Sequence, residues 1–320
     1  MISSLELARI CGVSQGTVDR AMHDRPGVSP STRQLILEAA ELHGYKPHPA
    51  ARELMGAKSK VIGALVPSLN AVFFMDLMQS LKEACESYGL RLYITPVSDK
   101  ADFLDALDDM AARRVRGVIA VPPEENIEIP ASTANSLPIA TVLSSLANPE
   151  VKLFAPDERV TGETAVAYLA GLGHTRIMHV TYARRAQAIV ARQDGYEQAM
   201  KLRGWEPHTC VFGDSAQLLE DIETFKPTAL FCHNDRLAMR VIQLLQTEGI
   251  GVPEDLSVLG VDNSPTLNQF SPGITTLSYP ADEIARKAMR WLNEGLDDRP
   301  ISPMQVVERL TVRAEPNPSV

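Results

Sequence analysis

From Val61 onward the chain alternates short, wholly apolar runs with longer stretches in which apolar residues recur every three or four positions. Runs such as Val61-Ile62-Gly63-Ala64-Leu65-Val66 have no polar face, the pattern of strands covered on both sides of a parallel sheet. The pattern predicts strands at 61–66, 91–95, 117–121, 138–143 and 151–155, with helices at 73–88 and 100–113. A second series follows: helix 158–171, strand 176–181, helix 188–202, strand 210–212, helix 216–225, strand 228–232, helix 236–248, strand 256–261, helix 281–294 and a last strand region at 305–312. Two such runs predict two doubly wound α/β lobes, with a ligand crevice beyond the carboxyl ends of their strands. Between two lobes that crevice becomes a cleft able to close by hinge motion.

The first sixty residues carry only helical spacing. Leu5, Leu7, Ala8 and Cys11 form one apolar stripe, Gly12 breaks it, and Ser14 caps a second helix that presents Val18 and Ala21. After the turn-rich stretch 23–29, Ser29 and Pro30 start a third helix with Leu35, Ile36, Ala39, Ala40 and Leu42 on its apolar face, ended by Gly44. Two short helices joined at a glycine form a helix-turn-helix. Gln15, Thr17, Asp19 and Arg20 then point away from the small core, as on a recognition helix in a major groove. An ordinary helical hairpin fits these residues equally well. The stretch 45–56 has two prolines before a run too short to be a stable helix alone. It folds on contact with DNA, with Leu54 as a wedge between base steps, or it is a plain linker. The expected organisation is therefore a head at 1–46, a hinge and linker at 47–60, and a body at 61–320. In the body, one lobe takes about 61–157 and 280–302 and the other about 158–279 and 303–320.

Charge sharpens this division. The whole chain carries −9, yet residues 1–60 hold 8 Lys and Arg against 6 Asp and Glu, and the rest hold 23 against 34. A mildly basic head on an acidic body keeps the body off DNA while the head binds it. So small a charge holds DNA weakly, which favours a homodimer with two heads. Cys11, Cys85, Cys210 and Cys232 are far apart, so structural thiols are expected and neither a metal site nor a cofactor is. With no secretory signature and no bilayer-spanning apolar run, a cytoplasmic protein without membrane contact is expected.

Polar and aromatic residues cluster at the predicted strand ends: Asn70, Phe73 and Phe74, then Asp157, Arg192, Asn234 and Asp262. Carboxylates and a guanidinium can take paired hydroxyls while aromatic rings cover the apolar face of a sugar. The alternative is that the Asp and Asn residues are helix caps and the phenylalanines core. A sugar-acting α/β enzyme also remains open. Its common signatures are missing: no GxGxxG or phosphate-loop lysine follows a predicted strand, and the GxSxG at Gly12–Gly16 joins two predicted helices, so it is no strand-to-helix nucleophile elbow. A transport binding protein would require a signal peptide.

The stretch LARICGVSQGTVDR, followed by GVSPSTR and YKPHPAAREL, resembles the lactose-repressor (LacI/GalR) family of bacterial transcription regulators. The likeness continues in order through IGALVP, FAPDERVTGE, LGHTRI, RQDGY, HNDRLA and DLSVLGVDN. It implies an all-α helix-turn-helix domain on a periplasmic-binding-protein-like body of two doubly wound lobes. It further implies a dimeric repressor, not an enzyme, that reads a near-palindromic double-stranded operator under control of a small effector, a sugar or sugar derivative. By that resemblance Gln15, Gly16 and Arg20 read bases, while Ser14 and Thr17 contact phosphates or flank the bases. Ala51 and Leu54 belong to the hinge, and Asp157, Arg192, Asn234 and Asp262 line the effector pocket. Asp19 and His48 depart from the family, which usually has Ser and Asn there. Asp19 repels phosphate yet can accept a hydrogen bond from cytosine N4, and His48 offers a pH-sensitive phosphate contact. No leucine heptad tail follows Arg313, so assembly through such a tail is not expected.

Overall fold

The structure, a computed structural model, describes residues 2–46, 59–67, 72–183, 186–265 and 273–315. The expectations for His48, Ala51, Leu54 and Asn70 lie outside the described residues. The chain divides into two compact units, Met1–Ser59 and Lys60–Val320.

The first unit is built on α1 (Ser4–Ile10), α2 (Gln15–Met22) and α3 (Pro30–Leu42). Each begins at a serine cap, at Ser3, Ser14 and Ser29. At Ser3 the cap is reciprocal: the backbone N–H of Glu6 donates to the Ser3 hydroxyl at 3.2 Å, and the Ser3 N–H donates to the Glu6 carboxylate at 2.7 Å. Gly12 turns the chain at φ +63°, a conformation a side chain would strain. The core is Leu7, Ala8, Val18, Ala21, Ile36 and Ala40. The predicted apolar faces are wider than the buried ones. Leu5, Leu35 and Leu42 are 50%, 51% and 81% exposed, because three short helices enclose only one or two residues per turn.

The second unit contains two sheets. In the first, β1 (Val61–Val66), β2 (Arg91–Pro96), β3 (Gly117–Ala120), β4 (Ile139–Val142) and β5 (Lys152–Phe154) lie in the order 2-1-3-4-5, all parallel. In the second, β6 (Ile177–Thr181), β7 (His208–Val211), β8 (Ala229–Cys232), β9 (Ser257–Asp262), β10 (Thr275–Ser278) and β11 (Gln305–Val307) lie in the order 11-10-9-8-6-7. Only β11 runs antiparallel, against β10. The connecting helices are α4 (Val72–Ser87), α5 (Lys100–Ala112), α6 (Ala131–Ser136), α7 (Glu158–Gly171), α8 (Gln187–Leu202), α9 (Ser215–Phe225), α10 (Asp235–Thr247) and α11 (Ala281–Glu294).

The chain passes between the lobes three times. It crosses from β5 into α7, returns from β10 into α11, and crosses again to β11. Helix α11 packs on α4, with Ser80 donating to Asp282 at 2.6 Å and Tyr88 to Glu294 at 2.8 Å. Four elements differ from expectation. The pattern does not predict strand β10 or helix α6, because Thr-Thr-Leu-Ser and Ala-Ser-Thr-Ala-Asn-Ser carry too little apolar signal without their packing partners. The last strand is only 305–307, and β7 spans 208–211.

Candidate functional site

In the head, α2 presents a polar face. Ser14, Gln15, Gly16 and Arg20 are exposed, and Thr17 and Asp19 half-buried. The Ser14 hydroxyl accepts from Thr17 N–H at 3.1 Å and lies 2.8 Å from the Thr17 hydroxyl. Gln15 donates to the Ser4 hydroxyl at 2.7 Å, tying the start of α2 to the start of α1. Arg20 has no ion pair among the described residues. Asp19 is engaged within the head. Its carboxylate pairs with Arg25 at 3.1 Å and His23 at 3.2 Å, pinning the loop that follows α2. It therefore acts first as a loop anchor, not as an uncommitted acceptor.

In the body, two helices meet at glycines. A methyl group on Gly195 would stand 2.0 Å from the carbonyl of Arg159, and one on Gly162 would stand 2.2 Å from the carbonyl of Arg192. Only glycine permits α7 and α8 to approach so closely. The approach brings buried Arg192 onto buried Glu158: Nε and Nη2 donate to one carboxylate oxygen at 2.8 and 2.6 Å, and Nη1 donates to the carbonyl of His233. The other oxygen, Glu158 Oε1, has no partner among the described residues. Asp157, one position earlier, is exposed. It caps α7 by accepting from the Arg159 and Val160 N–H groups at 2.9 and 3.4 Å. The acid opposite Arg192 is thus Glu158, about 100° round the helix from Asp157.

Asp262 ends β9 at φ +116° and Asn263 follows at φ +56°, two non-glycine residues held in strained backbone. Asn263 donates to the Ser278 hydroxyl at 3.1 Å and accepts from Arg309 at 2.6 Å. Burial and the carboxylate of Asp235 hold the Asp262 carboxyl well above the ordinary carboxylate range. Burial likewise pushes Asp235 up to about 6, against hydrogen bonds from Thr276 Oγ1 at 2.7 Å and Ser264 N–H at 3.3 Å. Gly260 leaves room for this acid, since a methyl there would lie 2.2 Å from Asp235 Oδ1.

A groove of about 440 Å³ is lined by Phe73, Asp76, Asp262, Asn263 and Tyr279 among others. The Phe73 ring meets Tyr279 edge-on at 4.9 Å and Phe74 at 5.4 Å. Asp76 accepts from Ser264 Oγ, a bond between the two lobes. The structure therefore places Phe73 and Asp262 on one groove, whereas Arg192 is buried against Glu158 and reaches Asp262 only through its charge. Phe74 packs against the core beside them. Asn234 caps α10, accepting from Leu237 N–H at 2.9 Å and from the Tyr182 hydroxyl at 3.4 Å, at the point where the second sheet reverses its winding. Glu158, Asp76 and Tyr279 were not anticipated. Asp76 lies one helical turn after Phe73, a signal the spacing carried. Tyr279 follows the unrecognised β10.

Cys85 and Cys210 are pushed up to about 11 and about 12 by burial, so neither thiol is a ready nucleophile at neutral pH. Among the described residues no cluster of His, Cys, Asp and Glu could hold a metal, and no helix is long and apolar enough to cross a membrane.

A capped three-helix head and a two-lobed α/β body with a polar cleft define the class that joins a helix-turn-helix to a periplasmic-binding-protein-like domain. The comparisons agree: residues 5–48 match bacterial regulatory proteins of the lacI family, and residues 166–314 match the periplasmic binding protein-like domain. The chain thus resembles the lacI family of bacterial regulatory proteins in its head and the periplasmic binding protein-like domain in its body. It is 27% identical to catabolite control protein A of Priestia megaterium over 98% of both chains. It is 26% identical to the HTH-type transcriptional repressor PurR of Histophilus somni over 93% of both. These relatives are transcriptional regulators, not enzymes. Its fold matches that of the lac repressor dimer bound to operator and an anti-inducer, with a TM-score of 0.83 at 20% identity, covering 98% of this chain and 99% of that one. A regulator from Alkaliphilus metalliredigens complexed with D-xylulofuranose matches with a TM-score of 0.67 at 22% identity, over 79% of this chain and 99% of that one.

Proposed function

We propose that this protein is a cytoplasmic, homodimeric transcriptional repressor. Its head reads a near-palindromic operator, and a small polyhydroxylated effector bound between the lobes of its body controls operator affinity. The observation that carries this reading is the pairing in one chain of an exposed recognition face on α2 with a groove between the lobes lined by Phe73, Asp76 and Asp262. In this reading Gln15, Gly16 and Arg20 read bases and Ser14 and Thr17 contact the backbone of the duplex. Ala51 and Leu54 form the hinge, and His48 adds a contact there. Half-exposed Met75, Tyr93 and Ile94 on α4 and the edge strand β2 support pairing with a second copy. An effector that prefers one cleft geometry changes operator affinity by the same factor that operator binding changes effector affinity.

The test is capture of fragmented genomic DNA from the source organism by the purified full chain, followed by sequencing. A near-palindrome with a flexible central step is expected. Arg20→Ala should lose the enrichment, and Leu54→Ala should weaken the operator much more than random DNA. No enrichment, with or without pooled metabolites, would return the reading to a sugar-acting enzyme.

A further inference from the structure

The acids at the cleft outnumber the cations, and the cations are engaged. The charges that act on Asp262 are those of Asp235, Arg192, Glu158 and Asp76. Arg192 directs its donors at Glu158 and the His233 carbonyl. Arg309, the cation acting on Asp235, donates to the Ile274 carbonyl at 2.7 Å and to Asn263 at 2.6 Å. An incoming phosphate or carboxylate would thus face carboxylates and, among the described residues, guanidinium groups already engaged.

Polar atoms that point to a ligand lie in the same place. Tyr279 lines the groove and is 6% exposed, yet its hydroxyl has no partner among the described residues. Glu158 Oε1 is buried and unpartnered in the same way, and the charges of Glu158 and Asp262 both act on the Tyr279 hydroxyl. The Asp262 side chain receives no hydrogen bond from any described residue, although Asp262 lines the groove. Four acids against two cations are costly to enclose unless a further positive charge joins them. An ammonium supplies that charge together with three donors, which matches a site made of acceptors.

We infer that the effector is a polyhydroxylated molecule bearing a primary amine, with its ammonium received by Asp262 and Asp76 beside the Tyr279 hydroxyl. This rests on the reading of the cleft as the effector site.

The experiment screens the full chain by thermal shift against sugars in matched sets and titrates the hits by calorimetry. The sets are the neutral hexoses glucose, galactose and mannose, their 2-amino forms, their 6-phosphates and their aldonic acids. The amino forms should bind with a Kd at least about tenfold below that of the neutral parent, and the anionic forms should not bind. Asp262→Asn should abolish the amine preference without lowering the thermal midpoint. Asp76→Asn provides the same readout should the first variant not fold. A neutral or anionic form binding as tightly as the amine overturns the inference and leaves the cleft reading standing. So does an amine preference that survives both substitutions. Binding by none of the sets overturns the cleft reading itself, and the inference with it.

Discussion

At the scale of single residues, Arg192 and Glu158 stand 34 positions apart and share a buried ion pair. Removing one member strands the other charge in the interior, which typically costs about 3–5 kcal/mol. Arg192→Ala should lower stability by about that much in urea unfolding. Arg192→Met combined with Glu158→Leu should recover most of the loss, because no charge is then left unpaired. A single variant within about 1 kcal/mol of the parent would show that the pair is more solvated than its burial indicates. The sequence named Arg192 and Asp157 as pocket residues and gave no partner for Arg192, which the structure pairs with Glu158. Neighbouring positions on a helix differ by about 100°, and which one turns inward depends on the element packed against it. The cap role of Asn234 was legible, because a cap bonds to N–H groups two or three residues away.

At the scale of elements, the crossing of α7 and α8 depends on Gly162 and Gly195. A methyl at 195 would meet backbone, which has nowhere to go. Gly195→Ala should therefore cost about 3 kcal/mol or more, since overpacking forces the helices apart. Gly171, exposed at the end of α7, has nothing within 4 Å of such a methyl and no positive φ. Gly171→Ala should gain about 0.5–1 kcal/mol. Thermal midpoints of the two variants compare the effects directly, and equal midpoints would dismiss the close crossing. Helix stops and caps could be read from single residues. That α7 and α8 are the pair that touch could not, because both glycines sit inside otherwise ordinary helical patterns.

At the scale of the whole molecule, three buried histidines and two acids set the response to acid. Burial lowers His174, His179 and His233, with His179 at about 3. A histidine lowered in the folded state stabilises the fold fully above its unfolded value of about 6.5, and that contribution is lost as pH falls towards the folded value. Asp235 and Asp262 are raised and act in the opposite sense: they favour the fold at low pH and lose that effect as pH rises, through about 6 for Asp235. The two strongly lowered histidines, His179 and His233, stand against two raised acids, so between about pH 6 and 4 their effects offset and stability changes by much less than the roughly 1.4 kcal/mol per pH unit of one uncompensated proton. Urea midpoints across that range test it, and a slope of that size in either direction would contradict it.

The sequence alone determined the alternation of strands and helices, the glycine turns, the serine caps and the division into an all-α head and an α/β body. Each of these rests on interactions within a few residues or on a hydrophobic period, and both are written locally along the chain. Tertiary structure decided which acid faces Arg192, that Asp235 bonds to Thr276, that Thr275–Ser278 is a strand, and that Asp19 anchors a loop. Apart from Asp19, whose partners lie four and six residues away, these join residues from 16 to 41 positions apart. Such contacts exist only once sheet register and helix approach have brought the side chains together.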